Sequence, residues 1–370
     1  MINKFKVPYI DLPKQYKFYE DDLKEIFHNT AKSGQFILRE EVSKLEKKIS
    51  EFLNVKYAVG VNSGTDALFL SLIANGIKKG DEVITVSHTF IATISTIVHT
   101  GASPVLVDIQ DDGNINPSLI KQAITDKTKA IVIVHMNGRV CDMDEILNII
   151  NEHNLLLIED AAQSFGASYK NKFAGNFGIC GAFSFHPMKV FGCMGDGGLI
   201  TTNDEYIYNK LLLLRNHGQK TKSDLVLYGY NSRLDNLQAA FLLYRLDVLE
   251  NELNKRINVA KTYINKLSKI TEIKLPSFDT QNRRDIFSSF VIQAEKRDEL
   301  QKYLLDKSIE VAVHWNTPNH KQKRLDLDHF TLNKTEEYSK NILSLPIHPF
   351  LTIEQIDFVI EKIIEFYEKS

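Results

Sequence analysis

Leu155-Leu-Leu-Ile-Glu159-Asp160-Ala161-Ala162-Gln163 is a short apolar run that ends abruptly on two carboxylates. Four runs of the same kind precede it: Tyr57-Ala-Val-Gly-Val61, Glu82-Val-Ile-Thr-Val86, Pro104-Val-Leu-Val-Asp108 and Ala130-Ile-Val-Ile-Val134. Helical stretches separate them. Continuous apolar strands alternating with helices imply an α/β fold with a mainly parallel sheet covered on both faces. Such sheets bind their ligands beyond the carboxyl ends of the strands, so the residues that follow each run carry the functional interest. No Gly-x-Gly-x-x-Gly follows the first run, which disfavours a nicotinamide dehydrogenase.

Outward from the runs, Tyr16 to about Thr30 and Glu40 to Phe52 have apolar residues at helical spacing, with Gly34-Gln-Phe-Ile-Leu38 between them. Beyond residue 163, Leu199-Ile-Thr-Thr202 reads as a strand and Glu205 to Arg215 as a helix. A long helical pattern starts near Leu234, runs through Leu237 to Leu249 and continues past Leu267, a bridge between domains. Ile286 to Ile292 alternates like a strand, Arg297 to Asp306 is helical, Val311-Ala-Val313 is extended, and Ile353 to Tyr367 is an amphipathic helix. The expected organisation is a large domain over 1–245 and a smaller C-terminal domain over 246–370. No repeat or low-complexity tract interrupts it.

Composition narrows the function. A net charge of −2 over 370 residues argues against a nucleic-acid binder, and Lys-Gln-Lys-Arg at 321–324 is short enough to be an ordinary solvated patch. Cys141, Cys180 and Cys193 lack metal-ligand spacing and fit a reducing compartment. The opening residues are too polar for a secretory leader and no run approaches membrane-spanning length, so a soluble cytoplasmic protein is expected.

Several strand ends carry chemistry. Gly181-Ala-Phe-Ser184-Phe-His-Pro-Met-Lys189-Val-Phe-Gly192 sets one lysine between an apolar segment and a glycine cluster. An amine among Phe183, Phe185, Val190 and Phe191 loses hydration, which lowers its pKa and frees it as a nucleophile toward a carbonyl. A lysine snorkelling into solvent is the plainer reading. Asn62-Ser63-Gly64-Thr65 opens a helix whose first amides suit a phosphate, or are simply capped by Ser63 or Thr65. Asp160 is either satisfied by backbone amides or meets a cation such as a protonated pyridine nitrogen. Phe90, ending Thr85-Val-Ser-His-Thr-Phe90, offers a ring face to a flat ligand or fills the core. Ser184 could reach a phosphate from beside the lysine. Together a lysine for a Schiff base, an aspartate for a pyridinium, an aromatic face and a helix N-terminus are the needs of pyridoxal 5′-phosphate.

With these residues in order, the chain resembles the DegT/DnrJ/EryC1/StrS family of pyridoxal-phosphate-dependent sugar aminotransferases. The similarity runs through Gly34 to Leu38, Asn62 to Asp66, Glu159-Asp-Ala-Ala-Gln-Ser-Phe-Gly166, Ser184 to Lys189, Gly195-Asp-Gly-Gly198, Leu214-Arg-Asn-His-Gly218, Asn231-Ser-Arg-Leu-Asp235 and Leu343-Ser-Leu-Pro-Ile-His-Pro349. It implies the aspartate aminotransferase fold (fold type I), with a mainly parallel seven-stranded sheet in the large domain and a smaller α+β domain. It makes Lys189 the Schiff-base lysine, Asp160 the partner of the pyridine nitrogen, Gln163 a donor to the ring hydroxyl and Phe90 the stacking ring. Gly64, Thr65 and Ser184 would hold the phosphate. Asn231 would reach the phosphate of a neighbouring subunit, so the site would straddle a homodimer interface. Arg233 and His314 match positions that approach the nucleotide or sugar.

The implied reaction moves an amino group from an amino acid, L-glutamate by resemblance, to a nucleotide-linked keto sugar, most like the 3-keto sugars of surface-polysaccharide pathways. Asn137, Arg39, Met188, Val190 and His314-Trp-Asn-Thr-Pro318 depart from the usual pattern, and most of them lie where substrate is expected. The alternatives are a small phosphorylated ketone as acceptor, a sugar dehydratase, which carries histidine at the lysine position, and a non-catalytic sensor that binds the cofactor.

Overall fold

A computed structural model of the chain describes residues 4–278 and 281–369. Its centre is a seven-stranded sheet. The strands are β1 (Tyr57–Val61), β2 (Glu82–Val86), β3 (Ser103–Val107), β4 (Thr128–Val134), β5 (Leu156–Asp160), β6 (Cys180–Ser184) and β7 (Gly198–Thr202), in the spatial order β1-β7-β6-β5-β4-β2-β3. Strand β7 alone runs antiparallel to its neighbours β6 and β1. Register across β4, β5 and β6 aligns Val134, Asp160 and Ala182, which brings the carboxyl ends of the three strands to one edge.

Both faces are covered, as continuous apolar strands require. The helices are α1 (Leu12–Phe18), α2 (Glu20–Ser33), α3 (Glu40–Leu53), α4 (Gly64–Ala74), α5 (Ile91–His99), α6 (Pro117–Ala123), α7 (Met143–His153), α8 (Glu205–Leu214), α9 (Asn236–Leu267), α10 (Arg297–Asp306), α11 (Asn333–Asn341) and α12 (Ile353–Glu368). Alternate residues of the strands feed two cores. Ile131, Ile133 and Leu157 pack on one side with α3 and α7; Ala130, Val132 and Ile158 pack on the other with α4 and α8.

Three short strands, β8 (Ile273–Lys274), β9 (Phe290–Ala294) and β10 (Ile342–Leu345), form a separate sheet under α10 and α12, with its own apolar core. Helix α9 serves both cores. Leu242, Leu249 and Leu253 belong to the central one; Val259, Ala260, Tyr263 and Leu267 belong to the C-terminal one. The chain thus passes from one core to the other inside a continuous helix, and Val7 joins the C-terminal core from the opposite end of the sequence.

Two local expectations are corrected. The first helix is two helices, because Tyr19 departs from helical geometry (φ −110°, ψ 13°) and turns its ring inward, donating its hydroxyl to Glu252 at 2.8 Å. The strand expected from Ile286 starts at Phe290. The amides of Ile286 and Ser288 are taken by the carbonyls of Gly138 and Asn137, and Phe287 between them is left-handed (φ 49°). No helix among the described residues is long and apolar enough to cross a membrane.

Candidate active site

Adjacent carboxylates on β5 point to opposite faces, since side chains alternate along a strand. Glu159 faces one way and is saturated: it accepts from the amides of Gly175 (2.7 Å), Phe177 (2.6 Å) and Gly178 (2.7 Å) and meets His135 Nε2 at 2.9 Å. Asp160 faces the other way and takes two donors, the Thr93 hydroxyl at 2.7 Å and the amide of Ala162 at 3.1 Å. A carboxylate offers about four acceptor sites. Asp160 therefore keeps capacity for a cationic donor, and burial pushes its pKa up, opposed by those two hydrogen bonds and by the charge of Lys189. Of the two readings weighed for Asp160, backbone amides satisfy it only in part, through Ala162, whereas Glu159 is fully satisfied by its partners.

Lys189 lies in the turn that follows β6. Its amide bonds the carbonyl of His186 at 2.8 Å, and the loop closes behind it through Cys193 N to Phe185 O at 2.8 Å. Gly192 makes that closure possible, because a Cβ there would lie 2.6 Å from the carbonyl oxygen of His186. Phe183, Phe185, Val190 and Phe191 are all buried beneath the loop, with Phe191 stacked on Phe165 at 4.4 Å between centroids. Burial lowers the Lys189 pKa, and Asp160 partly restores it.

The third component is the start of α4. Ser63 caps it, its hydroxyl accepting from Asp66 N at 3.1 Å and its carbonyl from Ala67 N at 2.9 Å. That leaves the amides of Gly64 and Thr65 without an acceptor among the described residues, as a helix N-terminus does. Ser184, at the end of β6, sits against Gly64 so closely that a Cβ on residue 64 would lie 2.6 Å from the Ser184 Cβ. Two free amides, a hydroxyl and a helix dipole thus share one small cradle, which suits a phosphate.

Gln163 follows β5 and accepts from Asn137 N at 3.0 Å, which turns its Nε2 donor away toward the Met136 sulfur, 3.9 Å distant. Asn137 is left-handed (φ 57°), a conformation asparagine tolerates better than most residues. Phe90 stands at the start of α5 with its side chain 57% exposed. His314 arrives from the C-terminal region, bonded through Nδ1 to Ser344 Oγ at 2.9 Å; burial lowers its pKa, and the charge of Lys189 lowers it further. Arg233 donates to Asn216 Oδ1 at 3.2 Å and keeps its Nε buried without a partner. Asn231 is exposed and bridges to Asn216. The charge of Lys189 thus acts on both Asp160 and His314, and Gly64 and Ser184 share one cradle. Arg233 and Asn231 lie on a segment anchored on Asn216, and the Ser232 hydroxyl between them accepts from the amide of Asn62 at 3.3 Å, next to the start of α4.

Sequence reasoning missed Thr93, which orients Asp160, and Arg245, which donates to the carbonyls of Val190 and Gly192 at 3.3 Å each. A threonine pair at 89 and 93, four residues apart where the chain enters α5 and joined at 2.8 Å, was the available signal for the first. Among the described residues no cluster of histidine, cysteine and carboxylate side chains could hold a metal ion.

Residues 19–364 match the DegT/DnrJ/EryC1/StrS aminotransferase family. The chain belongs to that family. It is 39% identical over 98% of both chains to a protein of Geobacillus stearothermophilus named "Pleiotropic regulatory protein". It is 38% identical, over 96% of this chain and 98% of the other, to the dTDP-3-amino-3,6-dideoxy-alpha-D-galactopyranose transaminase of Aneurinibacillus thermoaerophilus. The NtdA structure from Bacillus subtilis with bound cofactor PMP superposes with a TM-score of 0.92 at 30% identity, covering 99% of this chain and 85% of that one. The protein is accordingly a pyridoxal-phosphate-dependent aminotransferase. Its residues fit the cofactor: Asp160 has open acceptor capacity for a pyridinium, and the Gly64–Ser184 cradle has unclaimed donors for a phosphate.

Proposed function

We propose that this enzyme transfers the amino group of L-glutamate to a nucleotide-linked 3-keto sugar in amino-sugar or surface-polysaccharide biosynthesis, working as a homodimer. The observation that carries the chemistry is the unequal treatment of Glu159 and Asp160, one saturated and one left open toward the lysine. When bound, pyridoxal phosphate supplies an electron sink for the carbon that exchanges the amine. The chain supplies the rest. Asp160 would hold the positive charge of the ring nitrogen, Gln163 Nε2 would leave the Met136 sulfur to donate to the ring hydroxyl, and Phe90 would cover a ring face. The amides of Gly64 and Thr65 and the hydroxyl of Ser184 hold the phosphate. Lys189 Nζ, its pKa lowered by burial, takes and returns the proton at the exchanging carbon.

Asn231 is assigned to the phosphate of the partner subunit's site by the resemblance, and its exposure is consistent with that. Arg233 and His314 are assigned to the acceptor. The sugar class rests on the transaminase relative. The regulatory name of the Geobacillus protein favours a second reading, a cofactor-binding sensor without turnover. Supplying pyridoxal phosphate, L-glutamate and a panel of 3-keto and 4-keto sugar nucleotides separates the two. Formation of 2-oxoglutarate and a 3-amino sugar supports the enzyme; cofactor binding with no 2-oxoglutarate supports the sensor. A 4-amino product corrects the position.

A further inference from the structure

The Lys321–Arg324 run looked like a solvated patch in the sequence. In the structure it borders a cavity of about 840 Å³ whose other walls include Phe90, Ile91 and Trp315. The same cavity therefore joins the ring proposed to cover the cofactor and three cationic side chains, Lys321, Lys323 and Arg324. Lys321 is paired with Glu336 at 3.1 Å. Lys323 and Arg324 have neither ion-pair nor hydrogen-bond partner among the described residues. Asp326 and Asp328 follow in the chain but line no part of the cavity.

This cationic wall is not a loose loop. Asn319 Nδ2 donates to the carbonyls of Ser87 and Thr89 at 3.0 and 2.8 Å, and His320 bonds the Ser87 hydroxyl through its amide at 3.0 Å and through Nδ1 at 2.7 Å. On its other side Leu327 and Leu332 pack with Ile94 and Leu106. The segment is thus pinned at both ends to β2–α5, the same stretch that carries Phe90. Trp315 is held from behind by an edge contact to His88, 5.3 Å between centroids, and lies 5.9 Å from the ring of His314. His314 in turn feels the charge of Lys189. The cleft therefore sets two unpaired cations on a fixed support beside Trp315 and Phe90, the ring proposed to cover the cofactor.

We propose that this cleft is the subsite for the phosphoryl part of the amino acceptor, with Lys323 and Arg324 as its cationic contacts and Trp315 as its apolar wall. The proposal rests on the reading of the acceptor as a phosphorylated sugar, nucleotide-linked or not. It makes the two cations specificity determinants: an acceptor without phosphate loses their contribution, while the lysine chemistry stays available to it. Guanidinium and ammonium groups recognise phosphoryl oxygens through charge-assisted hydrogen bonds, and arginine does so in a bidentate way.

Trp315 is the single tryptophan of the chain, so its emission reports on the cleft without any turnover. The cofactor-loaded protein is titrated with dTDP, UDP and GDP, with glucose 6-phosphate, and with inorganic phosphate. A saturable emission change with a nucleoside diphosphate, weakened about tenfold or more in Lys323→Ala/Arg324→Ala and retained in Lys323→Arg, is the expected result. The same pattern with glucose 6-phosphate alone supports the phosphoryl subsite and removes the nucleotide from the proposed acceptor. No saturable change with any probe, or equal affinity in the double-alanine variant with an unchanged melting temperature, overturns the subsite. Release of 2-oxoglutarate from L-glutamate is measured beside it, so that loss of the subsite and loss of the aminotransferase reading are told apart.

Discussion

Thr93 donates its hydroxyl to Oδ2 of Asp160 at 2.7 Å, and it is the one side chain among the described residues that hydrogen-bonds this carboxylate. Burial raises the Asp160 pKa and the threonine bond lowers it. Asp160 can hold a ring cation only while ionised, so cofactor affinity falls as pH drops through its folded pKa. Thr93→Val removes a hydrogen bond to a charged group, an interaction of about 1.5–3 kcal/mol. The expected outcome is that this acid limb of cofactor binding moves to higher pH by roughly one to two units, each unit being about 1.4 kcal/mol. Equilibrium dialysis of the cofactor against pH measures the shift, and an unmoved limb contradicts the role of Thr93.

Gly64 and Ser184 make contact only because residue 64 has no side chain. Gly64→Ala places a Cβ 2.6 Å from the Ser184 Cβ, so the start of α4 must move away from β6. Cofactor affinity is expected to drop by about a hundredfold, equivalent to roughly 2.7 kcal/mol. Ser184→Ala removes a single hydroxyl and is expected to cost about tenfold. Titrating each variant with pyridoxal phosphate ranks the two losses, and an equal or reversed ranking argues against a shared cradle.

Arg245 and Glu252 form a buried pair at 2.6 Å on α9, and Arg245 also holds the carbonyls on either side of Phe191 in the lysine loop. Tyr19 adds its hydroxyl to Glu252, tying the N-terminal helices to the same network. Breaking one member of a buried pair leaves the other uncompensated, at a cost of about 3–5 kcal/mol. Arg245→Ala is therefore expected to be the more damaging change, lowering the melting temperature. Arg245→Lys keeps the charge and loses the fork, so it should keep most of the stability and lower kcat more than it raises KM. Equal effects of alanine and lysine on both readouts go against a positioning role.

How much of this was legible beforehand depended on whether the signal was local. The five apolar runs marked β1 to β5 to within two residues, because uninterrupted apolar stretches have few places to go other than the middle of a covered sheet. Asp160 and Gly64 stood out because each lies at the end of a marked strand, and Lys189 because it sits between an apolar segment and a glycine cluster. Resemblance then supplied the roles that spacing could not. What stayed hidden was set by tertiary contact. Tyr19 breaks an apparently regular helix because Glu252, 233 residues away, takes its hydroxyl. Ile286 alternates like a strand residue, yet its amide is claimed by Gly138. The division of labour between Glu159 and Asp160 needed the amides of Gly175, Phe177 and Gly178, and an ordinary basic run became part of a cleft once Asn319 and His320 pinned it beside Phe90.

The central claim is that Lys189 is the amine that carries the cofactor. Pyridoxal phosphate is added to the purified protein, the mixture is reduced with borohydride, and the peptides are mapped by mass spectrometry. The account predicts one pyridoxyl group on Lys189, none when L-glutamate is added before reduction, and none in Lys189→Ala. A stable modification at another lysine, or the same yield with and without L-glutamate, would contradict it.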